Sequence, residues 1–116
     1  MSKVNVKMTL TYAGASGGSG FDQEEVIFDA GGQGFTEKTN SEGEVIFLGV
    51  PCDCAARVRV IDQNIGKMVG RVFPLKCAQF TIDLGEFYIF GDGKLHNNQI
   101  PSLEAPLRGG SVQRFV

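Results

Sequence analysis

Tryptophan is absent from these 116 residues, and histidine occurs once, as His96. A general base needs a partner that orients it, and zinc needs four ligands, so a single histidine leaves both kinds of site poorly supplied. No segment of ten or more residues repeats apolar side chains at helical spacing, and no apolar run approaches the ~20 residues of a membrane-spanning helix. We therefore expect an all-β protein that does not enter a membrane and is not an enzyme, with no catalytic residues.

Excess positive charge is also lacking, because 11 basic residues stand against 13 acidic ones and give a net charge of −2. Nucleic-acid binders usually carry a basic surface, so no nucleic-acid partner is expected. The first residues, from Met1 to Asn5, show no basic start followed by an apolar run, which predicts no signal peptide.

Cysteine is sparse and odd in number, with Cys52, Cys54 and Cys77. An odd number argues against a fully paired disulfide framework, but one bridge from Cys52 or Cys54 to Cys77 is left open. A zinc site combining these thiols with His96 is the alternative. The C-x-C spacing is tight and has no second close pair, so we expect no metal ion and no cofactor.

The strongest positive signal is alternation of apolar and polar residues. Val4, Val6, Met8, Leu10 and Tyr12 alternate with polar side chains, which places the apolar ones on one face of a strand. Short runs of this kind, separated by turn residues, are typical of a two-sheet sandwich. The predicted strands are Lys3–Tyr12, Glu25–Ala30, Phe35–Thr39, Glu44–Val50, Ala55–Ile61, Lys67–Leu75 and Phe80–Leu84, the last extended by Phe87–Phe90.

The final 26 residues differ from the rest, because their apolar side chains follow no period and two prolines interrupt them. We therefore predict a β-sandwich domain over residues 1–90 and an extended C-terminal arm over residues 91–116. A disordered terminus is one interpretation of the arm; the other is a strap that lies across a neighbouring subunit. The arm residues expected to bind a partner are Ile100, Leu103, Leu107, Arg108, Phe115 and Val116.

A family resemblance lies in the middle of the chain, over Thr36–Pro51. Its Thr-x-Thr, Asn and acidic turn, and Gly-x-Val-x-Phe-x-x-Val-Pro pattern resembles carboxypeptidase regulatory-like domains, which are prealbumin-like sandwiches of immunoglobulin-like type. The resemblance implies a seven-stranded antiparallel β-sandwich that is mostly non-catalytic. Gly43 would permit the tight turn and Pro51 would end the strand.

Two enzyme motifs are matched only in part. Leu107–Ser111 resembles loosely the terminal motif of hydroxyisourate hydrolases, which are prealbumin-like, but the tyrosine of that motif is missing. The glycine-rich segment 13–20 lacks the Lys-Ser/Thr that a phosphate-binding loop needs. Arg57 and Arg59 share one outward face and could meet an acidic partner, although a solvated strand face is the default.

These features favour a non-enzymatic structural or binding module of a larger assembly. The specific expectation is a virion protein, such as a capsid decoration or another head or tail component, with capsid or other assembly subunits as partners and a homo-oligomer left open. The alternative is an adhesion or carbohydrate-binding module of a secreted multidomain protein, with Tyr12, Tyr88 and Phe90 as the available aromatic platform. A prealbumin-like hydrolase is the last alternative. The expected location is the virion, with cytoplasm or extracellular surface as alternatives.

Overall fold

A computed structural model describes residues 2–12, 22–63 and 65–100 of the chain, and these contain eight β-strands and no helix. The strands are β1 (Lys3–Tyr12), β2 (Glu25–Ala30), β3 (Gln33–Lys38), β4 (Glu44–Pro51), β5 (Cys54–Asp62), β6 (Lys67–Leu75), β7 (Thr81–Ile89) and β8 (Leu95–Asn97). They form sheet A, in the order β4-β1-β7-β8, and sheet B, in the order β3-β2-β5-β6. The expected all-β fold of two sheets is confirmed. The described residues include no helix long and apolar enough to span a bilayer.

Two details of the expected sandwich are corrected. The strands number eight in the described residues, not seven, because β8 pairs with β7 inside the range assigned to the C-terminal arm. The sheets are also not wholly antiparallel, because β1 runs parallel to β7, with Val6 opposite Ile82 and Leu10 opposite Phe87. Local alternation reports neither feature, because β1 and β7 are distant in sequence and β8, with three residues, is too short to show a pattern.

The core lies between the sheets and is filled by the inward residues of the alternating strands. Phe28 is at its centre, with its ring centroid 5.2 Å from that of Phe47 and 6.0 Å from that of Phe73. Val4, Val6, Met8 and Leu10 of β1 are all fully buried, as the alternation predicts. Burying each such side chain stabilises the fold by about 1.5–3 kcal/mol, so the alternation decides which face of each strand is inside.

The turn before β4 carries the family resemblance and is built around Asn40. The Asn40 side-chain oxygen accepts hydrogen bonds from the backbone N–H groups of Glu42 (2.8 Å) and Glu44 (2.9 Å). Gly43 takes a positive φ of 81°, which a glycine adopts without steric cost. The Asn-x-x-Gly pattern therefore produces the predicted turn between β3 and β4.

Two bulges interrupt sheet A, one on each side of β1. The register between β1 and β4 shifts near Gly49, and the register between β1 and β7 shifts near Gly85. Gly49 donates its N–H to the Asn5 side chain (3.1 Å), and Gly85 donates to that of Asp83 (2.9 Å). The seventh strand is therefore one bulged strand that continues through Gly85.

A disulfide joins Cys52, just after β4, to Cys77, in the connection between β6 and β7, with the two Cα atoms 5.2 Å apart. The sequence left open whether Cys52 or Cys54 pairs with Cys77. In the structure Cys52 forms the bridge, and Cys54 is a free thiol. Asp53 reinforces the same junction, because its carboxylate accepts the N–H of Cys77 (3.1 Å). The bridge therefore ties one end of sheet A to the connection that leaves sheet B.

Candidate functional site

The hairpin of β7 and β8 presents a compact group of polar and aromatic side chains to solvent. We call it the hairpin cluster: Glu86, Tyr88, Phe90, Asp92 and His96. Glu86 and Tyr88 occupy successive outward positions of β7, and His96 lies opposite Tyr88 in the pairing of the two strands. Alternation along the strands therefore brings these side chains to one face.

The rings of the cluster form a short aromatic surface. The centroids of Tyr88 and Phe90 are 6.3 Å apart with only 28° between the ring planes, and His96 meets Phe90 edge-on at 4.7 Å. Phe90 is 56% exposed, so this aromatic surface is accessible to solvent.

Each polar ring in the cluster is paired with a carboxylate. The Tyr88 hydroxyl donates to Glu86 Oε1 at 2.7 Å, and His96 Nε2 lies 2.8 Å from Asp92 Oδ2. The hydrogen bond to Glu86 raises the pKa of Tyr88, because ionisation would remove the donated proton beside an anion. The bond from His96 lowers the pKa of Asp92, because it favours the ionised carboxylate.

This arrangement suits binding. Aromatic faces flanked by carboxylates attract cations such as Lys or Arg side chains. The same faces can stack against the apolar face of a sugar ring, while the carboxylates accept bonds from its hydroxyls. Within the described part of the chain, no group of three or more His, Cys, Asp or Glu side chains could hold a metal ion.

A groove of about 180 Å³ adjoins the cluster and lies beside the last described residues. It is lined by Gly85, Glu86, Tyr88, Asn98 and Gln99. The chain is therefore led past the cluster just before residue 100.

Two polar side chains hold the chain at this point. Buried Asn97 donates to the carbonyls of Leu84 (2.9 Å) and Glu86 (3.0 Å), and its oxygen accepts the N–H of Ile100 (3.0 Å). Arg71 of β6 donates to the carbonyl of Ile100 at 2.7 Å. The position of Ile100, the last described residue, is consequently fixed by both sheets.

Of the predicted partner-binding residues, only Ile100 is described, and it is half-buried against the core. The others, Leu103, Leu107, Arg108, Phe115 and Val116, lie outside the described residues. Residues 95–100, placed in the arm by the sequence, are part of the sandwich or held against it.

The remaining sequence candidates are used structurally. Cys52 and Cys77 are bonded to each other, so the considered zinc site with His96 does not form from them. Arg59 is bonded to Asp29 at 2.9 Å, while Arg57 is exposed beside it. His96, which showed no marked partner in the sequence, has one in Asp92, four residues earlier.

Sequence reasoning identified Tyr88 and Phe90 as aromatic candidates but did not join them to Glu86, Asp92 and His96. A signal was available, because Glu86, Tyr88 and Phe90 are spaced by two on one strand face. The contribution of His96 required the β7–β8 pairing, and three residues of β8 are too few to show alternation.

The comparisons with known proteins leave the family open. No protein-family model matches the chain, and no curated protein resembles it in sequence. Among solved structures, a 9R-lipoxygenase from Cyanothece PCC8801 is similar to 76% of this chain at 15% identity and a TM-score of 0.43. The matched region is 16% of the lipoxygenase, and so weak a likeness carries no argument on function.

Proposed function

We propose that the chain is a non-enzymatic binding module of a larger assembly, which docks on neighbouring protein subunits through the hairpin cluster and residues 101–116. The observation that carries the proposal is the groove beside Tyr88 and Glu86, next to which the described chain ends. Phe90 is exposed in the adjoining cluster, and Ile100 fixes the end of the described chain near it.

The partner chemistry follows from the cluster. A basic side chain of a neighbouring subunit would lie over the face of Phe90 or Tyr88 and pair with Glu86 or Asp92. Apolar residues of the arm, such as Leu107 and Phe115, would fill pockets on the same neighbour, because aromatic and aliphatic anchors supply most of the energy of such contacts. Linking the two contacts raises the effective concentration of each.

A virion is the assembly that we propose, as a capsid decoration or another head or tail component. The Cys52–Cys77 disulfide supports an oxidising location, since disulfides persist on virions and cell surfaces and are rare in cytosol. The same bond supports the extracellular surface as the alternative location.

We also propose that the sandwich is of the prealbumin-like, immunoglobulin-like type. The segment that carries the resemblance, Thr36–Pro51, spans the end of β3, the Asn40 turn and all of β4. The inward Val45 and Phe47 and the terminal Pro51 agree with the pattern of those modules.

The proposal is tested by asking whether the chain is incorporated into an assembled particle. A tagged chain would be expressed in its native cells, and assembled particles would be separated by density-gradient sedimentation. We expect the chain in the particle fraction, and at least about tenfold less of it for Phe90→Ala combined with Leu107→Ala. The control is Phe80→Ala, since Phe80 is 71% exposed but lies at the opposite end of β7. Absence of the chain from every large assembly would refute the proposal.

A second candidate, a carbohydrate-binding or adhesion module of a secreted protein, is favoured by the nearly parallel Tyr88 and Phe90 rings and by the disulfide. Calorimetry with neutral oligosaccharides would test it. Under this candidate Phe90→Ala abolishes the heat of binding and Phe80→Ala retains it. No binding to any sugar by the parent chain would count against it.

A further inference from the structure

The free edge of sheet A is formed by β4, since among the described residues only β1 pairs with it. Antiparallel pairs alternate between hydrogen-bonded and non-bonded positions. Leu10 donates its N–H to the Gly43 carbonyl (2.9 Å), so these two residues are a hydrogen-bonded pair. Every second pair counted from them is bonded, and the pairs between are not. Ile46, opposite Lys7, is consequently a non-bonded position, and its N–H and C=O point away from β1 toward the open edge.

Two residues of this edge are available for pairing. Glu44 is already occupied, because its N–H bonds to the Asn40 side chain and its carbonyl accepts the Asn40 N–H (both 2.9 Å). Leu48 is the next outward residue and begins the bulge that it forms with Gly49 opposite Asn5. Ile46 and Leu48 therefore form the exposed middle of the edge.

The side chains of the same two residues are exposed and apolar. Ile46 is 45% exposed and Leu48 is 66% exposed, both on the outer face of sheet A. Natural edges are usually protected by charged side chains, prolines or bulges. Here the bulge begins only at Leu48, and the proline at position 51 follows it. An edge with open backbone groups and adjoining apolar side chains is a template for strand addition.

We propose that β4 pairs with β4 of a second copy of this chain, antiparallel, about a twofold axis at Phe47. Ile46 of each copy then lies opposite Leu48 of the other, so both open residues of each strand are used. Two Ile–Leu pairs cover the exposed side chains, and cross-strand apolar pairs of this kind are stabilising. Phe47 stays in its own core, and the two sheets A become one.

The charges select this register over its neighbour. With Ile46 opposite Leu48, Glu44 lies across from the Val50 end of the other strand, far from its own counterpart. With Ile46 opposite Ile46, Glu44 would lie opposite Leu48 and place a carboxylate against an apolar side chain. The pairing about Phe47 is therefore favoured because it keeps the Glu44 carboxylate away from the exposed Leu48 side chain.

A second copy is favoured over the chain's own C-terminal segment because the β4 edge is complementary to itself, whereas Ile100, the last described residue, is held beside β8 by Arg71 and Asn97. The pairing is also independent of the docking surface proposed above, which uses the β8 side of the sheet.

The test is the oligomeric state of the full-length chain. Sedimentation equilibrium over about 1 to 500 µM covers the range expected of an interface this small. We expect the mass to rise from 12.5 kDa toward twice that value. Ile46→Lys should raise the dimer dissociation constant at least about tenfold, because it places a charge at the centre of the pairing. Met68→Lys is the matched control, since Met68 is 46% exposed on the edge strand β6, and it should leave the constant within about twofold.

Hydrogen exchange on the unmodified chain gives a second readout, which does not depend on the variants folding. The amides of Ile46 and Leu48 should become protected as concentration rises, while other exposed amides do not change. A monomer at every concentration would overturn the proposal, and so would a dimer in which these two amides stay unprotected. Protection that is independent of concentration would assign the edge to another segment of the same chain and equally refute the pairing.

Discussion

The two edges of sheet A are finished in different ways. At the β8 edge, the buried amide of Asn97 and the guanidinium of Arg71 satisfy backbone groups of the chain that follows, and the strand itself is only three residues long. The β4 edge belongs to a strand of eight residues, and Ile46 and Leu48 in its middle are exposed. Short, covered edges resist pairing with other chains, and long apolar ones invite it. The β4 edge therefore has fewer of the features that protect a strand from pairing than the β8 edge.

Of all the predicted effects on the stability of the protein, breaking the disulfide should have the largest. The bond lies on the β4 side, because Cys52 directly follows β4. Cys52→Ser or Cys77→Ser should lower the free energy of unfolding by about 3 kcal/mol, because the bond closes a loop with a sequence separation of 25. Urea denaturation would measure it. Cys54→Ser, which removes a free thiol, should change stability by less than about 1 kcal/mol. Equal losses in all three variants would show that the bridge does not stabilise this end of the sheet.

On the β8 side, Asn97→Ala should cost about 2–3 kcal/mol of unfolding free energy. The substitution leaves the carbonyls of Leu84 and Glu86 without this donor, and the N–H of Ile100 without its acceptor. Neighbouring Asn98 is exposed, so Asn98→Ala should stay within about 0.5 kcal/mol. If the two asparagine variants unfold at the same urea concentration, the β8 edge does not depend on this amide.

The two bulges allow a direct comparison of the edges. Gly49 and Gly85 have positive φ angles of 68° and 78°, so alanine is strained at both. A Cβ at Gly49 has nothing within 4 Å, whereas at Gly85 it would collide with the side chain of Gln99. Because the Gln99 side chain is exposed and can move away, we expect Gly49→Ala and Gly85→Ala each to cost about 1 kcal/mol through the positive φ alone. A loss at Gly85 more than twice that at Gly49 would show that Gln99 is held firmly against β7.

The smallest effect concerns proton binding in the hairpin cluster. The pKa of Tyr88 is raised by its bond to Glu86, and that of Tyr12 is raised by burial. Glu86→Gln should lower the pKa of Tyr88 toward the ordinary value of about 10 and leave Tyr12 unchanged. Because the folded pKa exceeds the unfolded one, the contribution to stability is present below pH ~10 and is lost as pH rises through the folded value. Ring-resolved NMR titration would follow both tyrosines, with Glu42→Gln as the control. If the titration curve of Tyr88 does not shift in Glu86→Gln, the hydrogen bond to Glu86 does not raise the pKa of Tyr88.

The sequence predicts the parts of this fold that depend on local patterns. Alternation identified β1 and its buried face, and the Asn-x-x-Gly turn before β4 follows from the side-chain bonding of Asn40 and the positive φ of Gly43. The sequence also predicted an interruption of the seventh strand at Gly85, and a bulge lies at this position.

The remaining features depend on how the folded backbone brings side chains together, which the alternation of residues does not report. Cys52 and Cys54 are two residues apart, and only the folded backbone brings one of them within bonding distance of Cys77. The role of Asn97 was hidden because its four hydrogen bonds join it to β7 and to the residues that follow it. The hairpin cluster shares this origin, since His96 reaches Phe90 only through the pairing of β7 with β8.

The parallel pairing of β1 with β7 has a consequence for how the chain acquires its structure during synthesis. One neighbour of β1 in the sheet is a strand that begins about 70 residues later, at Thr81. Until that segment has been synthesised, one edge of β1 has unpaired backbone groups, which are open to chaperones and to other chains. Such long-range pairing also slows folding to the millisecond-to-second range.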